Sequence, residues 1–94
     1  MEKKVVKKIR VKNELGLHTR PATMIVKILQ EFKSRVTFTY RKESIDAKSI
    51  LSILMLAVQK NSILTVKIEG EDAQAAMKRL EEAFDDCFGE RLEG

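Results

Sequence analysis

The chain has 94 residues, of which 44% are apolar and 34% are charged. This length suits one domain with one modest core, and this balance of residues argues against an intrinsically disordered chain. The net charge is +4, and we expect residues 1–94 to form a single domain.

The charge is unevenly distributed along the chain. Residues 1–12 and residues 13–68 each carry a net charge of +5, whereas residues 69–94 carry −6. The basic portion can meet an acidic partner, although a solvated strand face and a solvated helix face explain the same pattern.

Lysines interrupt the amino-terminal residues before any long apolar run forms. This pattern predicts neither a secretory signal nor membrane insertion. The lone Cys87 has no partner for an internal disulfide and no companion at metal-ligand spacing. We therefore expect a cytoplasmic protein with no metal site and no cofactor.

The first part of the chain is predicted to form a strand, a helix and a second strand. Apolar and basic residues alternate over 5–12, which predicts the first strand. After a turn over 13–19, apolar residues recur at steps of three and four and predict an amphipathic helix from about 19 to 32. Alternation over 36–40 predicts the second strand.

The middle of the chain is less regular. Residues 41–44 are predicted to form a turn and residues 45–47 a short third strand. Residues 48–58 are apolar on nearly every side and predict a short helix, which Asn61 can stop because asparagine tolerates a left-handed backbone. Alternation over 64–68 predicts the fourth strand.

The last helix has the clearest pattern. Gly70 is predicted to end the fourth strand, and Asp72 to cap a helix whose apolar stripe runs from Ala73 to Cys87. Cys87 lies on this stripe, so we interpret it as a packing residue. The tail after Phe88 is predicted to be frayed. The element order is β-α-β-β-α-β-α, which indicates an α+β fold: a four-stranded antiparallel sheet with helices covering one face.

One segment carries candidate chemistry, and it holds the only histidine, His18. Pro21 lacks an N–H and suits a first helical turn, so His18 or Thr19 is predicted to be the N-cap. A helix N-terminus attracts anions, and the guanidinium of Arg20 suits phosphate oxygens. Neutral imidazole is a nucleophile near physiological pH. A phosphoryl group on His18 would be cradled by the first-turn amides, with Gly16 letting the chain pass close by.

Other readings of these features remain open. A lone histidine in a turn can simply cap a helix. The basic first strand and the α/β order also suggest a small RNA-binding domain, but the strands lack interleaved aromatics and no Gly-X-X-Gly loop is present, so we expect no nucleic-acid partner. No Gly-Lys-Ser/Thr phosphate loop appears either, which argues against direct use of ATP.

The segment Gly16-Leu17-His18-Thr19-Arg20-Pro21-Ala22 resembles the active-site motif of HPr, the histidine phosphocarrier of the bacterial phosphoenolpyruvate-dependent phosphotransferase system. A second segment, Ala47-Lys48-Ser49-Ile50-Leu51, is similar to the regulatory-serine segment of that family. The resemblance extends from about residue 5 to residue 88. It implies an open-faced β-sandwich with three helices on one side of the sheet.

The resemblance also implies roles for individual residues. His18 would be phosphorylated on Nδ1 by enzyme I and would pass the group to an enzyme IIA component for sugar uptake, so the chain would be a carrier and not an enzyme. Arg20 would steady the phosphoryl group, with Gly16 and the helix start (Thr19, Pro21 and Ala22) cradling it. Ser49 would be the target of HPr kinase/phosphorylase.

A partner-docking patch is implied beside the histidine, comprising Leu17, Thr23, Ile50, Leu51, Leu54 and Met55. An apolar helix in a small domain favours such a surface, although these residues can also be core. We expect a monomer.

Some residues depart from the commonest family pattern, among them Leu15, Asn61 and the segment 54–57. The segments 13–18 and 54–56 look closer to the nitrogen-related branch and to HPr-like proteins of bacteria with incomplete sugar systems, so the sugar or nitrogen role stays open. A purely regulatory protein, in which Ser49 controls docking, is the alternative from another functional class.

Overall fold

A computed structural model describes residues 3–90 of the chain. Its strands and helices follow the predicted order: β1 (Lys3–Arg10), α1 (Thr19–Leu29), β2 (Arg35–Tyr40), β3 (Glu43–Asp46), α2 (Ile50–Leu56), β4 (Ile63–Gly70) and α3 (Ala73–Asp85), followed by a 3-10 turn (Cys87–Gly89). Within the described range, no helix combines the length and the apolarity needed to cross a lipid bilayer.

The four strands form one antiparallel sheet in the order β1-β4-β2-β3. The central strand β4 alternates strictly, so that Leu64, Val66 and Ile68 are fully buried while the residues between them are partly exposed. The buried stripes of α1 and α3 complete the core on that one face. The predicted α+β fold, an open-faced sheet with three helices, is therefore confirmed.

Three predicted boundaries differ from the structure. Helix α1 ends at Leu29, not near residue 32, because the chain turns at Gln30 and brings Phe32 against the core from outside the helix. The turn after β2 is only two residues long, since Arg41 and Lys42 both have positive φ (52° and 69°). Such a turn matches the twist of a hairpin and lets β3 start at Glu43.

Helix α2 is also shorter than predicted. It ends at Leu56, and Ala57 is the left-handed residue that stops it, with φ 55° and ψ 45°. Asn61 is left-handed as well, with φ 70°, but it lies in the turn that leads into β4. The prediction that Asn61 stops the helix was therefore wrong.

The role predicted for Asp72 was wrong too. Its side chain makes no capping hydrogen bond to α3. Instead, its carboxylate accepts hydrogen bonds from the backbone N–H groups of Lys33 and Ser34, at 2.8 and 3.0 Å, and from Ser34 Oγ. The bond from the Ser34 hydroxyl has the largest effect, and together these bonds hold the pKa of Asp72 below its ordinary value. The carboxylate thus ties the start of β2 to the start of α3.

Candidate functional site

The loop before α1 is held against the segment that follows α2. Leu17 N donates to Val58 O at 2.9 Å, and Gly16 adopts φ +66° beside it. A Cβ at Gly16 would collide with the Val58 carbonyl oxygen. Only glycine fits this close approach of two backbones, and the approach fixes where His18 stands.

His18 is the N-cap of α1, with extended backbone angles (φ −75°, ψ −167°) and no side-chain capping bond. The first helical hydrogen bond runs from Ala22 N to His18 O at 3.0 Å. Pro21 has no N–H, so the amides of Thr19 and Arg20 are the donors that the helix itself leaves unpaired. The side chain of His18 is 32% exposed, and the ring can be reached by another protein.

The neighbours of His18 divide into exposed and buried residues. Thr19 and Arg20 are exposed, whereas Gly16, Pro21 and Ala22 are buried. Thr23 donates from Oγ1 to Thr19 O at 2.8 Å and lies half-buried one turn along the helix. An exposed guanidinium beside an open helix start is suited to bind a phosphoryl group.

A carboxylate at the other end of the sequence contacts the histidine ring. Glu90 Oε2 lies 2.9 Å from His18 Nε2. The side chain of Asn13, fully buried, donates from Nδ2 to Glu90 Oε1 and to Cys87 O at 2.9 Å. Neither Asn13 nor Glu90 was predicted as a site residue, because no local pattern signals a contact across 72 residues. The frayed tail predicted after Phe88 is wrong as far as Glu90, and the rest lies outside the described residues.

Ser49 is the N-cap of α2, next to α1. Its Oγ accepts a hydrogen bond from Ser52 N at 3.2 Å, and its side chain is partly exposed. The hydroxyl predicted as a regulatory target therefore stands at a helix start, where an added phosphate is electrostatically favoured.

The residues predicted for docking do not all reach the surface. Leu51 and Met55 are 67% and 73% exposed, Ile50 is 38% exposed and Leu54 is half-buried. Leu17 is only 3% exposed because it packs into the core, so its predicted docking role does not fit. Leu15 was not predicted as a docking residue, yet it is 74% exposed in the loop before His18.

Comparisons with known proteins agree with this geometry. The family model of the PTS HPr component phosphorylation site matches residues 5–86. The phosphocarrier protein HPr of Chlamydia muridarum is 41% identical over 80 residues, which cover 85% of this chain and 77% of that protein. HPr of Xylella fastidiosa (strain Temecula1) is 35% identical over 82 residues, covering 87% and 92%.

Solved structures are similar as well. The crystal structure of HPr-C-His from Thermoanaerobacter tengcongensis aligns with a TM-score of 0.88 and 34% identity, covering 96% of this chain and 99% of that one. The matched segment contains the histidine loop, the three helices and the four-stranded sheet. The chain therefore belongs to the HPr family of phosphocarrier proteins of the phosphotransferase system.

Proposed function

We propose that this chain carries a phosphoryl group on His18, which it accepts from phospho-enzyme I and passes to an enzyme IIA-type acceptor. It does so as one HPr-like domain, a cytoplasmic monomer that is a substrate of its partners and has no turnover of its own. The observation that carries the proposal is the position of His18: a partly exposed imidazole at the open start of α1.

The helix start supports the binding of a phosphoryl group. Its unpaired amides and the positive end of the helix dipole lower the free energy of a dianionic group placed there. Arg20 adds a cationic side chain that is exposed and can turn toward the phosphoryl oxygens. Transfer between two docked histidines needs in-line positioning and charge stabilisation more than it needs covalent chemistry from the protein.

Exposed apolar side chains on α2 support exchange with partners. Ile50, Leu51 and Met55 expose apolar side chains on α2, which lies beside α1. Exposed large apolar side chains grouped on one short helix favour a protein partner. We therefore include these three residues, together with the half-buried Thr23 and Leu54, in the docking surface, and leave out the buried Leu17.

The proposal is tested with phosphoenolpyruvate and purified enzyme I. We expect an acid-labile phosphate on His18, none on a His18→Ala variant, and transfer onward to an enzyme IIA protein. Assays with enzyme IIA proteins of the sugar and nitrogen branches distinguish those two roles. A wild-type chain that is folded and yet takes no phosphoryl group from any enzyme I would overturn the proposal.

A second candidate function rests on Ser49, whose hydroxyl caps α2 at the edge of the docking surface. A phosphate there would add a charge of about −1.5 to −2 next to Ile50 and Leu51. Under this regulatory hypothesis, HPr kinase/phosphorylase modifies Ser49 and thereby weakens the docking of enzyme I. Titration of enzyme I with the chain phosphorylated on Ser49 tests it, and an unchanged affinity would refute it.

A further inference from the structure

We propose that Glu90 is a positioning residue for the phosphoryl transfer: its carboxylate keeps the proton of His18 on Nε2, which leaves Nδ1 as the nucleophile. This inference depends on the proposed function, because it concerns the reaction of the same histidine. Glu90 lies beyond the segment 5–86 that matches the family model, so that match does not include the contact.

The distance between the two groups dictates the tautomer. Glu90 Oε2 is 2.9 Å from His18 Nε2, which is a hydrogen-bonding distance. An ionised carboxylate can only accept, so Nε2 must be the ring nitrogen that carries the hydrogen. Nδ1 then holds the free electron pair of the neutral ring, and it is the atom that can attack phosphorus.

Glu90 is itself held in place. Its side chain is 18% exposed, and Nδ2 of the fully buried Asn13 donates to its second oxygen. The same nitrogen of Asn13 donates to the carbonyl oxygen of Cys87, the first residue of the 3-10 turn. The hydrogen-bonded series Asn13–Glu90–His18 resembles the arrangement in which a buried carboxylate orients a catalytic imidazole.

The backbone that delivers Glu90 is strained. Cys87, Phe88 and Gly89 have successive positive φ values of 51°, 52° and 79°. Side chains rarely accept this region, and two of the three residues are not glycine. Phe88 stabilises the reversal by packing edge-on against Phe84, with the ring centroids 4.8 Å apart. Strain that packing maintains at the end of a helix is typical of a segment with a function.

The contact suits the charge that develops during the reaction. The Nδ1 electron pair forms an N–P bond as the N–P bond of the donor phosphohistidine breaks, and the bonding electrons return to the donor ring. No proton has to leave Nδ1, and the hydrogen on Nε2 stays on the His18 ring. That ring becomes cationic in the transition state, so the carboxylate at Nε2 stabilises the transition state more than the neutral ground state.

The test uses the wild-type chain and three variants: Glu90→Ala, Glu90→Gln and, as the matched control, Asp86→Asn. The control removes one negative charge from an exposed side chain at the end of α3. Imidazole 15N NMR of the unphosphorylated proteins reports the tautomer and the exchange of the Nε2 hydrogen with water. Phosphoramidate, a small donor that needs no docking surface, then reports the rate and the nitrogen that is phosphorylated.

We expect a water-protected Nε2–H signal in the wild type and in Asp86→Asn, and its loss in Glu90→Ala. We also expect both Glu90 variants to be phosphorylated about tenfold more slowly or worse, and phosphate to appear on Nε2 as well as on Nδ1 in Glu90→Ala. Glu90→Gln keeps the size of the side chain and an acceptor oxygen but loses the charge, so its phosphorylation rate decides the question if Glu90→Ala does not fold.

Two results would overturn the inference: a protected Nε2–H signal that persists in Glu90→Ala, or Glu90 variants that react as fast as the wild type or faster. A faster variant would mean that Glu90 obstructs the ring. The NMR measurement needs no partner protein, so it decides the role of Glu90 even if enzyme I fails to phosphorylate His18. Conversely, if enzyme I phosphorylates the wild type and the Glu90 variants equally fast, only this inference fails and the proposed function stands.

Discussion

Helices α1 and α2 pack against each other, but their starts are built differently. At α2, the Ser49 hydroxyl accepts a hydrogen bond from Ser52 N, so the helix satisfies one of its own amides. At α1, His18 occupies the same N-cap position and makes no such bond. Its side chain is turned instead toward Glu90, and the first amides of the helix stay available.

Under the proposed function, this difference separates a helix start that caps itself from one that keeps its amides for a phosphoryl group. A capping serine contributes about 1 kcal/mol to stability. The N-cap of α1 forgoes that contribution and keeps donors for a ligand. The predictions below break or sharpen this contrast, from the largest expected effect to the smallest.

Gly16→Ala should cause the largest loss. The variant places a methyl group against the Val58 carbonyl at a residue with φ +66°, so the loop that presents His18 must move. We expect a loss of about 3 kcal/mol or more in the free energy of unfolding, measured with urea.

Gly89→Ala is the control for this substitution. Gly89 has φ +79° but nothing within 4 Å of the added Cβ, so it reports backbone strain without the collision. Equal losses in the two variants would contradict the account of the Gly16 contact.

Arg20→Ala should slow phosphoryl transfer to His18 by about tenfold to a hundredfold, because a charged hydrogen bond to the phosphoryl group is lost. Its side chain is exposed, so we expect the stability to change by less than about 0.5 kcal/mol. Lys27→Ala removes the same charge from the last turn of α1 and should leave the rate unchanged. A rate that falls equally in both variants would point to net charge and not to position.

At both N-caps, a serine should stabilise the helix more than an alanine does. Ser49→Ala should lower the free energy of unfolding by about 1 kcal/mol. His18→Ser should be about 1 kcal/mol more stable than His18→Ala, since both lose the contact with Glu90 and only serine can cap the helix. Urea unfolding of the four proteins measures this. If serine and alanine at residue 18 prove equally stable, the start of α1 is not open as described.

The start of α3 gives the smallest effect, and it depends on pH. The pKa of Asp72 is lowered in the folded state. The ionised carboxylate therefore stabilises the fold fully above its ordinary pKa of 3.8, and this contribution is lost as the pH falls through the lower folded value. Asp72→Asn should therefore be less stable than the wild type at neutral pH, and the difference should narrow below pH 3.8.

Glu71→Gln, at the exposed neighbouring carboxylate, is the control for the pH series. A gap between wild type and Asp72→Asn that stays constant with pH would show that the lowered pKa does not contribute to stability.

Local patterns were sufficient to predict much of this architecture. Alternation predicts β1, β2 and β4, helical periodicity predicts α1 and α3, and Pro21 in a first turn predicts where α1 begins. Local patterns do not predict contacts between residues that are far apart in the sequence. The carboxylate of Asp72 binds Ser34, 38 residues away, where a local rule predicts a cap. Phe32 follows the helical period of α1 but packs from outside the helix.

The candidate site divides in the same way. His18, Arg20 and the helix start can be found from one continuous segment. Glu90 and Asn13 cannot, because their contact requires the whole fold to bring residues 13 and 90 together. The local pattern also does not predict burial here, since nothing in the sequence around Leu17 distinguishes that core residue from the exposed Leu15.

The most direct test of the open start of α1 is 1H–15N NMR of the chain before and after phosphorylation of His18. The account predicts that the amides of Thr19 and Arg20 move strongly downfield and exchange more slowly with water once the phosphoryl group is present, while the amide of Ser52 stays where it is. Unchanged resonances for Thr19 and Arg20 in the phosphorylated protein would contradict the account, because they would mean that the phosphoryl group is held elsewhere.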